Sequence, residues 1–161
     1  MIKVGRMDSK IPSGAVVTTV CRQVSFYQTD AMGVVHHANY LHFMEDVRTA
    51  WLKEHDRSYT EYLAVERHFA VTRVEVEYLR PARYYDQLSI TAALLWVGAA
   101  SAGFVYDIRR DGELIATAYT EHAMVDNQGK LRRIPREWRD GLLRHSLQGV
   151  RPLSLTWAKR I

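Results

Sequence analysis

The 161-residue sequence has one cysteine and no long apolar run, and these two absences exclude several classes of protein. A single thiol, that of Cys21, cannot form an internal disulfide, so we expect a reducing, cytoplasmic compartment and a small buried strand residue at this position. No stretch of about 18 apolar residues exists, so no segment is predicted to span a membrane. The first residues carry charges without an apolar core, which argues against a secretory signal.

Composition and length fit one folded domain. Hydrophobic residues make up 47% of the 161 residues, a share that is ordinary for a globular chain able to bury a substantial core. Neither an internal repeat nor a low-complexity segment is found. Residues 14–146 are predicted to form the domain, and residues 1–13 and 147–161 are predicted to be flexible tails.

The most informative stretch is Thr29–Tyr40, which reads TDAMGVVHHANY. Asp30 lies on a short loop in which Gly33 permits a positive φ, and the loop leads directly into a helical pattern. Free backbone N–H groups and the positive end of the helix dipole are found at a helix N-terminus. Two interpretations of Asp30 remain open: it caps the helix, as Asn39 could also do, or it acts on a carbonyl whose oxygen becomes negative.

Apolar residues predict a helix after Asn39. They recur with the spacing of one helix face at Tyr40, Phe43, Met44, Val47 and Trp51. The opposite face is mostly polar. The sequence therefore predicts one long helix whose N-terminus is next to Asp30.

The rest of the chain has the patterns of strands. Pro81 ends one of them, Gly98–Ser101 is predicted to be a turn, and Asp111-Gly112 is typical of a tight hairpin. The continuous apolar run Leu88–Val97 predicts a strand covered on both faces. The predicted strands are Ala15–Phe26, Val71–Tyr78, Leu88–Val97, Phe104–Arg109 and Leu114–Val125, with a short helix after Pro135. This order of a strand, a helix and an antiparallel meander predicts an α+β fold.

The motif resembles the 4-hydroxybenzoyl-CoA thioesterase family of hot-dog-fold acyl-CoA thioesterases. The resemblance is carried by TDAMGVVHHANYL together with Glu45 and Arg48 on the helix. VEVEYLRPARYYDQL is similar to the family's second strand and following turn, and DIRRDGELIATAYTEHAMVD and LRRIPREW are similar to its last hairpin and closing helix. The resemblance covers about Val17 to His145. It implies one long central helix wrapped by a curved five- to six-stranded antiparallel sheet.

The resemblance also implies a reaction. Asp30 attacks the carbonyl of an acyl-CoA thioester, or activates a water molecule that does so, and the backbone N–H of His37, together with a neighbour such as Val35, stabilises the oxyanion. The substrate is expected to be a short-chain or aromatic acyl-CoA. Coenzyme A belongs to the substrate, and no separate cofactor is expected.

Other residues of the motif are candidates for substrate contacts. The His37 imidazole assists proton transfer or is a polar loop residue, while His36 shapes the pocket. Tyr27 lines the pocket or packs at a strand end, and Asn39 fixes the loop by hydrogen bonding. Beyond the motif, Ser101 is a candidate substrate contact, and Arg80 and Arg83 are candidates for binding the CoA phosphates. The histidine spacing matches no common zinc site, so no metal is predicted.

The formal net charge of +4 leaves several partners to consider. The excess of positive charge has three explanations: a solvated surface, a binding site for the CoA phosphates, or binding of nucleic acid. Nucleic acid is disfavoured because no stacking aromatics interleave with the arginines. Acidic acyl carrier proteins are a further partner, as carriers of fatty-acid or polyketide substrates. The basic residues are Arg109, Arg110, Lys130, Arg132, Arg133, Arg136, Arg139 and Arg144.

Three functions are therefore compared: an acyl-CoA thioesterase, a thioesterase that acts on acyl carrier proteins, and a non-catalytic acyl-CoA-binding protein or dehydratase. The acid lies in the loop before the helix, as in the thioesterases, which disfavours a dehydratase. The resemblance further implies a homodimer or homotetramer formed edge to edge between sheets, with the partner subunit contributing to each acyl pocket.

Overall fold

The computed structural model describes residues 9–147 and shows three α-helices and five strands there. Most of the two predicted tails, residues 1–8 and 148–161, lies outside the described residues. Between residues 9 and 147, no helix is long and apolar enough to cross a membrane. The elements in chain order are β1 (Val17–Gln23), a 3-10 turn (Phe26–Gln28), α1 (Asn39–His55), α2 (Tyr59–Ala64), β2 (His68–Tyr78), β3 (Gln87–Val97), β4 (Ser101–Arg110), β5 (Glu113–Val125) and α3 (Arg136–His145).

The five strands form one antiparallel sheet in the order β1-β3-β4-β5-β2. The predicted α+β architecture is therefore confirmed. The predicted meander is correct only for β3, β4 and β5, because β2 pairs with β5 and not with β3. Residues 79–86 carry the chain from β2 to the opposite side of the sheet, where the N–H of Val24 donates to the carbonyl of Asp86 at 2.9 Å. This crossing segment contains Pro81 and brings residues 82–86 beside the loop of Asp30.

The long helix is amphipathic as its pattern predicts. α1 runs for 17 residues and packs on β1 and β3. Trp51 is fully buried: its indole Nε1 donates to the carbonyl of Val16 at 3.0 Å, and its ring meets Phe104 edge-on at 5.3 Å between centroids. This packing fixes the start of α1, and hence the preceding loop, relative to the sheet. The buried face consists of Tyr40, Phe43, Met44, Val47, Trp51 and Leu52.

Both faces of β3 are buried, in agreement with its continuous apolar run. One face packs on α1, and the other belongs to an outer cluster that is covered by Ile11, Ala15 and Leu147. Part of the predicted N-terminal tail is thus packed: the N–H of Lys10 also donates to the buried carboxylate of Asp107 at 3.1 Å. Residues 10 and 11 therefore contact the sheet. The outer cluster contains Ala93, Leu95, Trp96, Val105 and Tyr119.

Two local features differ from expectation. Cys21 is exposed, so the prediction that its thiol is buried is wrong. β1 is an edge strand whose outer residues are largely exposed, and Cys21 lies among them.

Helix α2 is not predicted from apolar spacing, but its start has a sequence signature. Ser58 and Glu61 form a capping box in which the N–H of Ser58 donates to Glu61 Oε2 at 2.7 Å.

Candidate active site

The loop that carries Asp30 is a tight turn held by its own backbone. The N–H of Asp30 donates to the carbonyl of Val34 at 2.9 Å, and the N–H of Gly33 donates to the carbonyl of Asp30 at 2.9 Å. Gly33 has a φ of +72°, which favours glycine, as predicted. Asp30 Oδ1 accepts from the N–H of Met32 at 2.8 Å and, more weakly, from that of Val34 at 3.4 Å. Asp30 therefore stabilises its own loop and does not cap α1.

The start of α1 leaves one donor free. Its N-cap, Ala38, has no side-chain capping bond, and the N–H of Ala38 donates to His36 Nδ1 at 3.2 Å. Asn39 does not cap either: its Nδ2 donates to the carbonyl of Gln28 at 2.9 Å and ties the helix to the preceding turn, as predicted for loop fixation. The N–H of His36 donates to the same carbonyl at 2.8 Å. Among residues 9–147, no acceptor is found for the N–H of His37.

Val35 does not supply a second donor. Its N–H donates to the carbonyl of Ala82 at 2.8 Å, and its side chain is 5% exposed and lies in the core. The expectation that Val35 helps to stabilise an oxyanion is therefore wrong, because the crossing segment between β2 and β3 occupies that N–H. His37 is left as the single candidate donor of the predicted pair.

Tyr78, which sequence reasoning does not single out, fixes His37. Its hydroxyl donates to the carbonyl of His37 at 3.0 Å, and partial burial raises the pKa of Tyr78, so the phenol keeps its donor proton at neutral pH. The rings of His36 and His37 are exposed and lie 4.1 Å apart between centroids. The only sequence signal for Tyr78 is its place at the end of a predicted strand.

The remaining predicted contacts divide into those near the loop and those away from it. Arg83 Nη1 approaches the carbonyl of Gly33 at 3.4 Å, whereas Arg80 pairs with Glu113 at 2.5 Å. Tyr27 is 83% exposed, so its ring stands in solvent and does not pack at a strand end. Ser101 begins β4 at the end of β3 that is opposite residues 82–86, so this subunit does not bring it to its own Asp30.

A buried polar chain lies beside α1. Arg48 Nη1 is 3.4 Å from the hydroxyl of Tyr106, which is 2.8 Å from Thr120 Oγ1, and this atom is 2.7 Å from His122 Nε2. The other ring nitrogen, His122 Nδ1, is buried without a partner. His122 is therefore a structural residue of the core. His68 lies at the surface and shares a hydrogen bond with Asn127 Oδ1 at 2.6 Å.

His122 leads us to expect a loss of stability in acid. Burial, and to a smaller degree the charge of Arg48, lowers the pKa of His122 from 6.5 to about 3. The unfolded chain binds a proton here below about pH 6.5, whereas the folded chain does so only near pH 3. We expect the free energy of unfolding to fall by about 3 kcal/mol from this group between pH 7 and 4.5.

Urea unfolding over a pH series measures this loss. His122→Gln keeps a polar side chain that does not titrate, so its stability should fall less steeply in acid than that of the wild type. Parallel curves for the two proteins would show that another group controls acid stability.

No group of three or more His, Cys, Asp or Glu residues within the described part of the chain is placed to hold a metal ion. The loop of Asp30 presents one carboxylate, one free backbone donor and two exposed imidazoles. A carboxylate and an N–H donor on one loop can together attack a carbonyl carbon and stabilise its oxygen.

Comparison with known proteins identifies the class. A family model described as Thioesterase-like superfamily matches residues 24–144. The chain is similar to the acyl-CoA thioester hydrolase YbgC of Escherichia coli O6:H1, with 37% identity over 86 residues that span 53% of this chain and 64% of that protein. It is also similar to the acyl-CoA thioesterase YbgC of Haemophilus influenzae, with 31% identity over 107 residues, 65% of this chain and 77% of that protein.

The crystal structure of a hypothetical protein from Aquifex aeolicus gives a TM-score of 0.73 at 30% identity, covering 78% of this chain and 98% of that chain. The match confirms the predicted hot-dog fold, in which the curved sheet surrounds α1. The chain belongs to the thioesterase-like superfamily, since the family model covers well over half of it. It is a thioester hydrolase.

Proposed function

We propose that this thioester hydrolase is an acyl-CoA thioesterase that acts on short-chain or aromatic acyl groups at Asp30. The observation that carries the proposal is the pairing, on one loop, of the Asp30 carboxylate with the unoccupied N–H of His37 at the start of α1. The names of the relatives support an acyl-CoA substrate.

One oxygen of the Asp30 carboxylate is held by the backbone of its own loop, and the other has no partner there and can react. Oδ1 is held by the N–H of Met32 at 2.8 Å, and Oδ2 has no hydrogen-bond partner among residues 9–147. In one route Oδ2 attacks the thioester carbon, the carbonyl oxygen becomes an oxyanion at the His37 N–H, and the CoA thiolate leaves; water then hydrolyses the acyl-aspartyl anhydride. In the other route Oδ2 takes a proton from the attacking water and passes it to the leaving thiolate.

The neighbouring residues have supporting roles in this proposal. Gly33 keeps the loop tight, Asn39 holds the helix start, and the imidazoles of His36 and His37 contact substrate or assist proton transfer. Tyr27 adds an exposed aromatic surface near the loop. Arg83 lies beside Gly33 and is the better placed of the two arginines to meet the CoA phosphates, because the charge of Arg80 is already paired.

A homodimer or homotetramer formed through the sheet edges completes the proposal. β2 is an edge strand on which Val71 is 52% and Val74 is 39% exposed, and such an edge is open to pairing with another chain. A partner subunit bound there lies near Tyr78 and therefore near His37. This arrangement would let each subunit contribute to the other's acyl pocket.

An acyl carrier protein is the second candidate for the group that delivers the acyl chain. The basic C-terminal half supports it, since Arg133 is exposed there and α3 has Arg144 and His145 in its last turn. Carrier proteins are acidic, so binding of this kind should weaken as salt screens the charges. Equal kinetics with CoA and carrier substrates, without salt dependence, would count against this candidate.

The test is to assay the purified protein with a panel of aliphatic and aromatic acyl-CoAs and to follow release of free thiol. We expect hydrolysis of at least one short-chain or aromatic ester, and the ratio of kcat/KM values across the panel ranks the acyl groups. If the protein releases thiol from no CoA ester but hydrolyses a carrier-bound ester, the acyl carrier protein is the substrate carrier and the acyl-CoA proposal is wrong.

A further inference from the structure

Three aromatic rings form an exposed patch beside the loop of Asp30. Phe26 is 75%, Tyr84 is 49% and Tyr85 is 63% exposed. The rings meet edge-on, with centroids 5.7 Å apart for Phe26 and Tyr84 and 4.6 Å apart for Tyr84 and Tyr85. Single exposed aromatics are common on soluble proteins, whereas a contiguous group of them usually marks a binding surface. We call these three residues the aromatic patch.

The backbone of the aromatic patch is fixed by hydrogen bonds. The N–H of Tyr85 donates to the carbonyl of Val24 at 3.1 Å, and Tyr85 has a φ of +72°. Bulky residues are rare in this left-handed region, so the protein keeps a large ring here at a cost in local stability. Phe26 begins the 3-10 turn, which is closed by a bond from the N–H of Ser25 to Gln28 Oε1 at 2.9 Å. A flat ligand that stacks on the patch therefore meets a largely preformed surface.

Two backbone contacts connect the aromatic patch to Asp30. The N–H of Asp30 donates to the carbonyl of Val34 at 2.9 Å, and Val34 forms an antiparallel bridge with Arg83, the residue before Tyr84. Because each contact separates Cα atoms by about 5 Å, the backbone of Arg83 lies roughly 10 Å from that of Asp30. Tyr84 follows about 3.8 Å further along the chain.

This separation is within the reach of coenzyme A. Its pantetheine arm has about as many backbone bonds as four extended residues, so the arm spans up to about 14 Å from the sulfur to the phosphates. The diphosphate and the ribose extend this reach before the adenine ring. A CoA ester whose thioester lies at Asp30 can therefore place its adenine ring on the aromatic patch, with the arm partly bent.

Arg83 adds a positive charge at the edge of the aromatic patch. Its guanidinium is exposed, has no carboxylate within ion-pair distance among residues 9–147, and makes one long bond of 3.4 Å to the carbonyl of Gly33. Asp86 accepts the backbone N–H of Arg83 at 2.8 Å, and its charge is paired with Arg110 at 3.2 Å. Stacking rings beside an available guanidinium suit a nucleotide, which has a flat base and anionic phosphates.

We propose that the aromatic patch binds the adenine ring of coenzyme A and that Arg83 binds a phosphate of the same nucleotide. The inference rests on the proposed function and names where the protein holds the part of the substrate that does not react. An acyl carrier protein presents the same pantetheine arm without the adenine ring. The aromatic patch would therefore let the protein distinguish CoA esters from carrier-bound esters.

The experiment compares one acyl group carried by CoA with the same acyl group carried by pantetheine, on the full-length protein. We expect kcat/KM to be about tenfold higher for the CoA ester, an effect within the range for one stacked base. Phe26→Ala and Tyr85→Asn should each bring this ratio towards one, mainly by raising KM for the CoA ester, because the nucleotide does not take part in the reaction. Asparagine tolerates the left-handed backbone, so Tyr85→Asn should keep the fold. Leu131→Ala, at an exposed side chain at the opposite end of the sheet, is the control and should leave the ratio unchanged.

A binding measurement tests the aromatic patch without turnover. Adenosine 3′,5′-bisphosphate, the nucleotide part of coenzyme A, should bind to the wild type in calorimetry and inhibit hydrolysis competitively. Phe26→Ala, Tyr85→Asn and Arg83→Met should each weaken this binding by about fivefold or more. If the protein hydrolyses no ester but binds the bisphosphate at the aromatic patch, the proposed function is wrong and the nucleotide site stands.

Several results would overturn the inference. One is an equal kcat/KM of the wild type for CoA and pantetheine esters, and another is an equal loss on both esters in the two aromatic variants, which would assign the rings to the shape of the Asp30 loop. If the bisphosphate does not bind and the variants lose activity on a carrier-bound ester, the patch is a docking surface for the carrier protein. If Phe26→Ala dissociates the oligomer in light scattering, the patch belongs to a contact between subunits. Thermal unfolding of each variant checks that the fold is retained.

Discussion

Replacing Asp30 with Asn is expected to lower kcat for thioester hydrolysis by about 10²–10⁴-fold, the usual contribution of a positioned general base or nucleophile. The amide has no negative oxygen with which to attack a carbonyl or to take a proton from water. It does keep an oxygen that can accept the 2.8 Å bond from the N–H of Met32, so the loop should retain its shape. Steady-state kinetics of the variant measure the loss of kcat, and thermal unfolding checks that the fold is retained.

A matched control separates chemistry from charge. Asp111→Asn makes the same substitution in the β4–β5 hairpin, at a residue with a φ of +48° that asparagine tolerates well. Its kcat should equal that of the wild type. If Asp30→Asn turns over substrate at the wild-type rate while Asp111→Asn behaves the same, Asp30 is a loop residue only and the proposed mechanism fails.

Replacing Trp51 with Ala is expected to lower the free energy of unfolding by about 3–5 kcal/mol. The indole is 0% exposed, it donates to the carbonyl of Val16, and it packs on Phe104, so its removal leaves a cavity and removes that hydrogen bond. The loss is a large part of the stability of a domain of this size. Urea unfolding of the two proteins under identical conditions measures it.

Two further variants sharpen this measurement. Trp51→Phe fills part of the space but does not donate to Val16, and its loss should lie between zero and that of the alanine variant. Leu41→Ala, on the exposed side of the same helix at 43% exposure, should change stability by less than about 0.5 kcal/mol. A loss below about 1 kcal/mol for Trp51→Ala would mean that α1 is not anchored through this ring.

The helix and the strands could be predicted because their patterns are local. The apolar spacing from Tyr40 to Trp51 specifies one face of a helix, and the pair Asp111-Gly112 adopts the positive φ values of +48° and +81° typical of a tight hairpin. Strand order is not a local property. Pairing of β2 with β5 depends on the path of residues 79–86, which cross from β2 to the other side of the sheet. The spacing of apolar residues along the chain does not predict that path.

The active-site loop could be located from the sequence, but its hydrogen bonds could not. The motif places Asp30 and His37 before the helix, and the structure has them there. The bonds that decide which groups are free come from distant segments: Ala82 occupies the N–H of Val35, and Tyr78 holds the carbonyl of His37. Ser101 shows the opposite case, since a resemblance suggested a contact that one subunit does not make with its own Asp30. The preference for an acyl group could not be predicted either, because it depends on the shape of a pocket formed by segments that are distant in the sequence.

The crossing of the chain between β2 and β3 also has a kinetic consequence. The strands β3, β4 and β5 are joined by short turns, so little chain entropy is lost when they pair. The pairing of Gln23 with Gln87 closes a loop that contains α1, α2 and β2, and the Asp30 turn is completed only when residues 82–86 are in place beside it. Because such long-range contacts are slow to form, we expect the three-stranded meander to form first and the active-site loop to be assembled late. Newly made chains would therefore be compact before they are competent for catalysis.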